Sequence, residues 1–479
     1  MIKDELQRLI LRNLGHPPTA EQEAAVTALT DFLLSGSADS LFLLRGYAGT
    51  GKTTLIGALV KVLDSLKRKV VLLAPTGRAA KVFALYAGHP AFTIHKKIYR
   101  QRAFSDDVDN FTRNVNLHQH TLFLVDEASM IANEGLSGAV FGTGRLLDDL
   151  VQFVYSGVGC RLLFIGDAAQ LPPVGEAESP ALSVESLRGY NLEVEAVTLT
   201  QVVRQIRDSG ILWNATQIRR MLTEEEVFAF PRVRLAGFPD VRRVSGNELI
   251  ECIEECYNKC GTDQTLVVTR SNKRANLYNN GIRARILGYE EELTGGDRLI
   301  VVKNNYYWPE SKEEDGGMDF IANGDVATVL RFRRERSLYG FRFADVVLRF
   351  TDYDDYETEA TVLLDTLQSE APALSREQSQ ALFQSVWADY PEVTNKRERM
   401  KKVKQDVHYN ALQVKYSYAV TCHKAQGGQW QNVFVDQGYM TEDRLSPDYF
   451  RWLYTAFTRA TEKLFLVNWP EEYLEAVEE

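Results

Sequence analysis

Short apolar runs that end abruptly in glycine or acid recur along this chain. Residues 41–44 lead into Gly46, residues 121–125 into Asp126, and residues 161–165 into Gly166 and Asp167. Runs of that length suit strands buried on both faces. Between them lie stretches with helical spacing, such as residues 55–63. This alternation predicts parallel, doubly wound sheets of the α/β class. Residues 1–14 alternate charge with Leu and Ile at helical spacing and carry Asp4 and Glu5, which argues against a signal or transit peptide. No run approaches the ~20 apolar residues of a membrane span, so a cytoplasmic protein is expected. Cys252, Cys256 and Cys260 fall with Leu249 and Ile253 on one apolar helical stripe, which reads as core, and no structural metal is expected.

The first polar break carries chemistry. Residues 46–53 read GYAGTGKT, between a predicted buried strand and a predicted helix. In that setting Gly46, Gly49 and Gly51 allow backbone N–H groups to point at a triphosphate. Lys52 reaches the β and γ phosphates, and the Thr53 hydroxyl can hold Mg²⁺, with Thr50 and Thr54 beside them. The expected ligand is ATP or GTP. A second strand delivers Asp126 and Glu127 to its C-terminal end, where α/β sheets bind ligands. Asp126 suits the Mg²⁺ shell, and Glu127 suits orienting and deprotonating an attacking water. A third strand ends before Gln170, placed to sense the γ phosphate, and Pro172 with Pro173 stiffens the connection.

At 479 residues the chain fits about three domains. Its formal net charge of −10 weighs against wholesale coating of nucleic acid. It does not exclude a channel with a local basic lining, and residues 96–102, 331–336 and 396–404 are locally basic.

GDAAQLPPVG at residues 166–175 resembles the third motif of superfamily 1 helicases, and further motifs follow in that family's order. PPTAEQEAAV (17–26) is similar to the adenine-reading Q motif, which implies Gln22 as the amide on the base and favours ATP. APTGRAAK (74–81) resembles motif Ia, TIHK (93–96) motif Ib, and LTQVVRQ (199–205) motif IV with Arg204. VVTRSNKRANLYN (267–279) resembles the second-domain strand motif that contacts DNA. VTCHKAQGGQW (420–430) resembles motif V, adding Gln426 and Gly427 to the nucleotide set, and LYTAFTRA (453–460) resembles motif VI with Arg459. The forms of motifs III and V look like the RecD and Dda branch, most similar to Dda-type helicases. That resemblance implies 5′-to-3′ movement on single-stranded DNA. Arg204 and Arg459, separated in sequence from the phosphate loop, would complete the catalytic set Lys52, Glu127 and Gln170 only when a cleft closes.

Two RecA-like domains are therefore expected, at 1–196 and at 197–295 with 412–479. Residues 97–119 would form a β-hairpin pin, with Phe111, or failing that Phe104, stacking on the last base pair. Residues 296–411 would form an SH3-like β-barrel and a helical tower, with the acidic run 352–359 as a solvated hairpin tip. DNA contacts would come from Pro75, Thr76, Thr93 and His95 in the first domain. In the second they would come from Thr269, Arg270, Asn272, Thr421, His423 and Lys424, mostly to phosphate and sugar. The expected partners are single-stranded DNA and a forked duplex, with the protein acting as a monomer and replication or repair proteins as possible associates. Alternatives are a DNA-dependent ATPase that loads or remodels complexes, and a RecD-like subunit of a larger helicase-nuclease.

Overall fold

The computed structural model describes residues 2–101, 111–134, 142–203, 208–224, 229–308 and 320–475. Among them, the first sheet is parallel throughout. Its strands run in the order Ala91–Thr93, Lys69–Ala74, Thr121–Val125, Arg161–Gly166, Ser40–Gly46 and Glu193–Leu199. Successive side chains of a strand point to opposite faces. Leu41 and Leu43 accordingly join Phe123, Phe164 and the helix Leu146–Tyr155 on one side. Phe42 and Leu44 join Leu124, Leu163 and the helices Ala20–Leu34 and Lys52–Ser65 on the other. Both faces are covered, which is why these strands read as continuous apolar runs. The amphipathic first helix, Ile2–Arg12, adds Leu6 and Ile10 to the second of these cores.

A second parallel sheet has the order Ala419–Thr421, Thr265–Thr269, Trp430–Asp436, Ala460–Val467 and Val241–Val244. Helices Gly210–Glu224 and Pro447–Phe457 cover one face, and Leu249–Cys260 and Asn272–Arg285 the other. Cys252 and Cys256 lie in the latter core beside Ile253.

Five strands, Arg298–Val301, Val326–Leu338, Phe341–Phe350, Tyr356–Leu363 and Leu412–Tyr416, close into a barrel. The last of them lies beyond residue 411, where the sequence pattern ended the insertion. The long hairpin turns through Tyr339 and Gly340, both at positive φ (58° and 79°), the two-residue geometry that matches strand twist. Helices Arg376–Ala388 and Lys396–Lys404 stand against the barrel through Leu382, Val386 and Val403. The acidic run is not wholly solvated. The Tyr353 hydroxyl donates to Asp325 Oδ1 at 2.9 Å, and Lys81 Nζ donates to the Thr351 carbonyl at 2.5 Å, which pins this turn against the first domain. The expected pin begins as strands Tyr99–Gln101 and Phe111–Arg113, paired antiparallel; its tip, with Phe104, lies outside the described residues.

A buried ion pair joins the second sheet's helix to the barrel entrance. Arg283 donates from Nε and Nη2 to the two oxygens of Asp297, each at 2.8 Å, with 6% and 0% of the side chains exposed. The Thr294 amide and Tyr418 hydroxyl also donate to Asp297, at 2.9 and 3.1 Å. Removing one partner strands the other charge, so Asp297→Ala should cost about 3–5 kcal/mol in urea unfolding. Glu359→Ala, which breaks the exposed pair with Arg333, should cost at most about 1 kcal/mol in the same assay.

Candidate nucleotide site and nucleic-acid surface

Parallel pairing brings the C-terminal ends of the first sheet's strands to one edge. The phosphate loop follows Ser40–Gly46, Asp126 follows Thr121–Val125, and Asp167 follows Arg161–Gly166. A cavity of about 470 Å³ opens there. From the first domain it is lined by residues including Gly49, Gly51, Lys52, Thr53, Asp126 and Gln170; from the second come Gln429, Thr458 and Arg459.

The loop's shape depends on two glycines. A Cβ at Gly46 would sit 2.9 Å from both the Lys52 side chain and Thr50 Oγ1. Gly51 has φ +82°, and a Cβ there would meet Gln22 Nε2 at 2.4 Å. Lys52 Nζ donates to the carbonyls of Gly46 and Tyr47 at 2.5 and 2.9 Å. Behind Gly51 starts the helix Lys52–Ser65, whose first-turn N–H groups and dipole favour an anion.

The two carboxylates are half-buried and adjacent, lining the cavity. Asp126 accepts from the Tyr86 hydroxyl at 2.5 Å and from the Glu127 amide at 2.8 Å. Burial pushes its carboxyl upward, and those two donors hold it back. Glu127 is held at positive φ (51°). Burial, reinforced by the nearby Asp126 charge, pushes its carboxyl up to about 7, while the Arg459 charge works in the opposite direction. A carboxyl poised there can exchange a proton near neutral pH. Gln170 is buried, and its Oε1 makes no hydrogen bond among the described residues, as suits an amide aimed at a ligand. Thr53 and Asp126 supply hard oxygen donors of the kind Mg²⁺ prefers, so the residues present fit that ion.

Arg459 is 3% exposed and is braced inside its own domain. Nη1 donates to the Gly428 carbonyl at 3.0 Å, and Nε to the Thr455 carbonyl at 3.1 Å. Arg204 lies outside the described residues.

Residues 18–230 match the family described as an AAA domain, and residues 416–467 match the UvrD-like helicase C-terminal domain. The chain is thus similar to an AAA-type ATPase domain over its first part and to the UvrD-like helicase C-terminal domain over residues 416–467. An uncharacterised protein of Acanthamoeba polyphaga mimivirus, R530, is 23% identical across 93% of this chain and 98% of its own length. The ATP-dependent RecD2 DNA helicase of Deinococcus radiodurans is 24% identical across 89% of this chain, which spans only 46% of that protein. Among solved structures, a Pif1 helicase from Bacteroides in complex with ADP-AlF3 and ssDNA has 14% identity and a TM-score of 0.47 over 97% of this chain and 95% of that one.

Several residues expected in the nucleotide set sit outside the cavity lining. Gln22 is fully buried and faces the loop instead of the cavity. Its Oε1 closes a capping box by accepting from the Thr19 amide at 3.0 Å, and its Nε2 donates to the Thr50 carbonyl at 3.1 Å. One end of the amide therefore caps the helix Ala20–Leu34 and the other holds the loop. Thr50 is likewise turned inward, donating to the Tyr47 carbonyl at 2.8 Å. Gln426 donates to the Leu171 carbonyl at 2.7 Å, and a Cβ at Gly427 would lie 3.2 Å from Thr76 Oγ1. These two join the domains to each other, and Gln429 lines the cavity in their place. His16, Tyr47, Asp167 and Ser209 also line it. Asp167 was readable, as the acid that directly follows the third strand; nothing in the sequence marks His16.

The expected DNA set divides in the same way. Thr93 is buried and caps the helix Ile94–Ile98, accepting from the Lys96 amide at 3.2 Å. Thr76 likewise caps the helix Gly77–Ala87. Thr269 is fully buried and donates to the Ser271 carbonyl at 3.1 Å. Arg270 lies over the Tyr449 and Trp452 rings, 5.7 and 5.9 Å from their centroids, and Asn272 donates to the Glu370 carbonyl at 3.1 Å. His95 is flanked by Tyr99 and Phe320, and burial pushes its imidazole down to about 4, so it is neutral at physiological pH. Phe111 packs against Tyr306 at 4.3 Å between centroids, which anchors the hairpin's base. His423 is exposed, and Pro75, Thr421 and Lys424 are half-buried. Burial, with Lys415 adding repulsion, pushes the Lys424 ammonium down to about 8.

Glu127 provides a stability test with a defined sign. Its folded-state pKa lies above the ordinary 4.5, so its contribution to stability is full below that value and is lost as pH rises through about 7. Glu127→Gln should therefore melt at a higher temperature than the parent at pH 8 and at the same temperature at pH 4, by thermal denaturation monitored with circular dichroism.

Proposed function

We propose that this protein is an ATP-dependent DNA helicase that moves 5′ to 3′ on single-stranded DNA and couples hydrolysis to strand separation. One observation carries the reading: Lys52, Glu127 and Gln170 from the first domain share a single cavity with Arg459 from the second. A site divided in this way responds to the distance between its halves.

In the proposed cycle, Lys52 and the loop amides hold the triphosphate, while Thr53 and Asp126 would hold Mg²⁺, which supplies charge neutralisation at the phosphates. Glu127, with its carboxyl poised near neutrality, takes a proton from water oriented with the help of Gln170. Arg459, with Arg204 as its suggested companion, stabilises charge that develops on the transferred phosphoryl group. Domain closure moves the DNA-gripping surfaces, for which His423, Thr421, Lys424 and Pro75 are the best-placed candidates. The insertion expected at residues 97–119 serves as the separating element. The polarity follows the RecD-like branch.

Glu127→Gln should lower DNA-stimulated ATP hydrolysis by about 10²- to 10⁴-fold, the range for loss of a general base, and should abolish unwinding. Undiminished hydrolysis would remove Glu127 from that role. A forked duplex with a 5′ tail should be opened and one with only a 3′ tail should not, in a fluorescence strand-separation assay. Opening of the 3′-tailed substrate alone would reverse the polarity. Hydrolysis and translocation without opening of either fork would favour a loading or remodelling ATPase.

A further inference from the structure

We propose that Tyr454 is the positioning residue through which the second domain sets the geometry of the phosphate loop. This rests on the reading of the site as a two-domain ATPase driven by DNA. Tyr454 lies on the helix Pro447–Phe457 of the second domain and is 1% exposed. Its hydroxyl accepts from the Ala48 amide of the phosphate loop at 2.8 Å and donates to Asp167 Oδ2 at 2.6 Å. One oxygen atom thus joins the loop, the turn after the third strand, and the opposite domain.

The consequences run in two directions. Toward the nucleotide, Asp167 also accepts from the Ala169 amide at 3.0 Å through Oδ1, and its carbonyl accepts from the Gln170 amide at 3.2 Å. The turn that aims Gln170 therefore folds around the same carboxylate that Tyr454 holds. Toward the nucleic acid, the helix carrying Tyr454 packs on the short helix Cys422–Ala425, where the Cys422 thiol lies 3.5 Å from the Trp452 carbonyl. That short helix bears His423 and Lys424. Tyr454 is thereby the point at which a shift of the grip on DNA reaches Ala48 and Gln170 together.

Two neighbours brace the same helix against the first domain. Thr455 Oγ1 accepts from the Leu171 amide at 2.9 Å, and Arg451 donates to the Ala168 carbonyl at 2.6 Å. The bonds of these two go to Leu171 and Ala168, not to the loop backbone. Burial, with the Asp167 charge beside it, raises the Tyr454 phenol well above its ordinary value, so it remains a donor to that carboxylate. A displacement of roughly 1 Å is enough to break a hydrogen bond of this length. The Ala48 N–H is then freed, and the Asp167 turn loses its tether.

The test compares ATP hydrolysis at saturating ATP with and without a single-stranded oligonucleotide, in the full chain. Tyr454→Phe keeps the ring and removes only the shared oxygen. It should reduce the ratio of DNA-stimulated to DNA-free kcat by about tenfold, as expected when one buried member of a hydrogen-bonded network is lost. Thr455→Val, which breaks the neighbouring bond without touching Ala48 or Asp167, should reduce that ratio by no more than about twofold. An unchanged ratio in Tyr454→Phe, including an equal fall in both rates, would overturn the proposal, because a merely structural tyrosine lowers both alike. Should Tyr454→Phe fail to fold, Asp167→Asn offers the same readout: it keeps an acceptor for Tyr454 but weakens the bond, and an unaltered ratio there would likewise overturn it. A parent protein whose hydrolysis ignores the oligonucleotide would instead sink the functional reading itself.

Discussion

Parallel strand pairing is the constraint from which the rest of this molecule follows. A parallel strand must be re-entered from the far end, so each crossover helix starts at the edge where the preceding strand stopped. The first sheet therefore gathers a glycine loop, a pair of carboxylates and the Asp167 turn along one line, with a helix N-terminus beside them. Apolar residues on both faces hold that line rigid. The second sheet repeats the arrangement, and its helix Pro447–Phe457 meets the first sheet's loop edge through Tyr454, Thr455 and Arg451. The half-buried carboxyl groups of Asp126 and Glu127 then share a cavity with Lys52 of the first domain and Arg459 of the second.

Much of this was legible in the sequence because periodicity reports burial directly. Doubly covered strands read as unbroken apolar runs, and the polar residues that end them mark the sheet edge, so Lys52, Thr53, Asp126, Glu127, Gln170 and Arg459 were expected together from position or family order, and all six line one cavity. The barrel's alternating strands were readable for the same reason. What periodicity does not report is the direction in which a polar side chain spends its hydrogen bonds. Gln22, Thr93 and Thr269 lie in recognisable motifs, yet their polar atoms cap a helix, brace a loop or satisfy a carbonyl. Such local competition between backbone and ligand depends on distances of a few tenths of an ångström. Contacts between distant segments are equally hidden, as Phe111 against Tyr306 and Gln426 against the Leu171 carbonyl illustrate.

The barrel's interior has a mechanical meaning. Leu299, Val329, Val346 and Val414 belong to the same continuous apolar core as Val267, Phe434 and Phe465 of the second sheet, and the Arg283–Asp297 pair crosses the junction. Sliding a surface of that kind would expose packed apolar area, so barrel and second sheet form one packed body. Against the first domain the barrel rests differently, through Lys81 at the Thr351 carbonyl and through Tyr353 at Gly77, where even a methyl group would lie 2.3 Å from the phenol oxygen. A glycine there leaves room for the Tyr353 ring to lie directly on the backbone that starts the helix Gly77–Ala87, so the absence of a side chain on one domain sets how closely the barrel can seat.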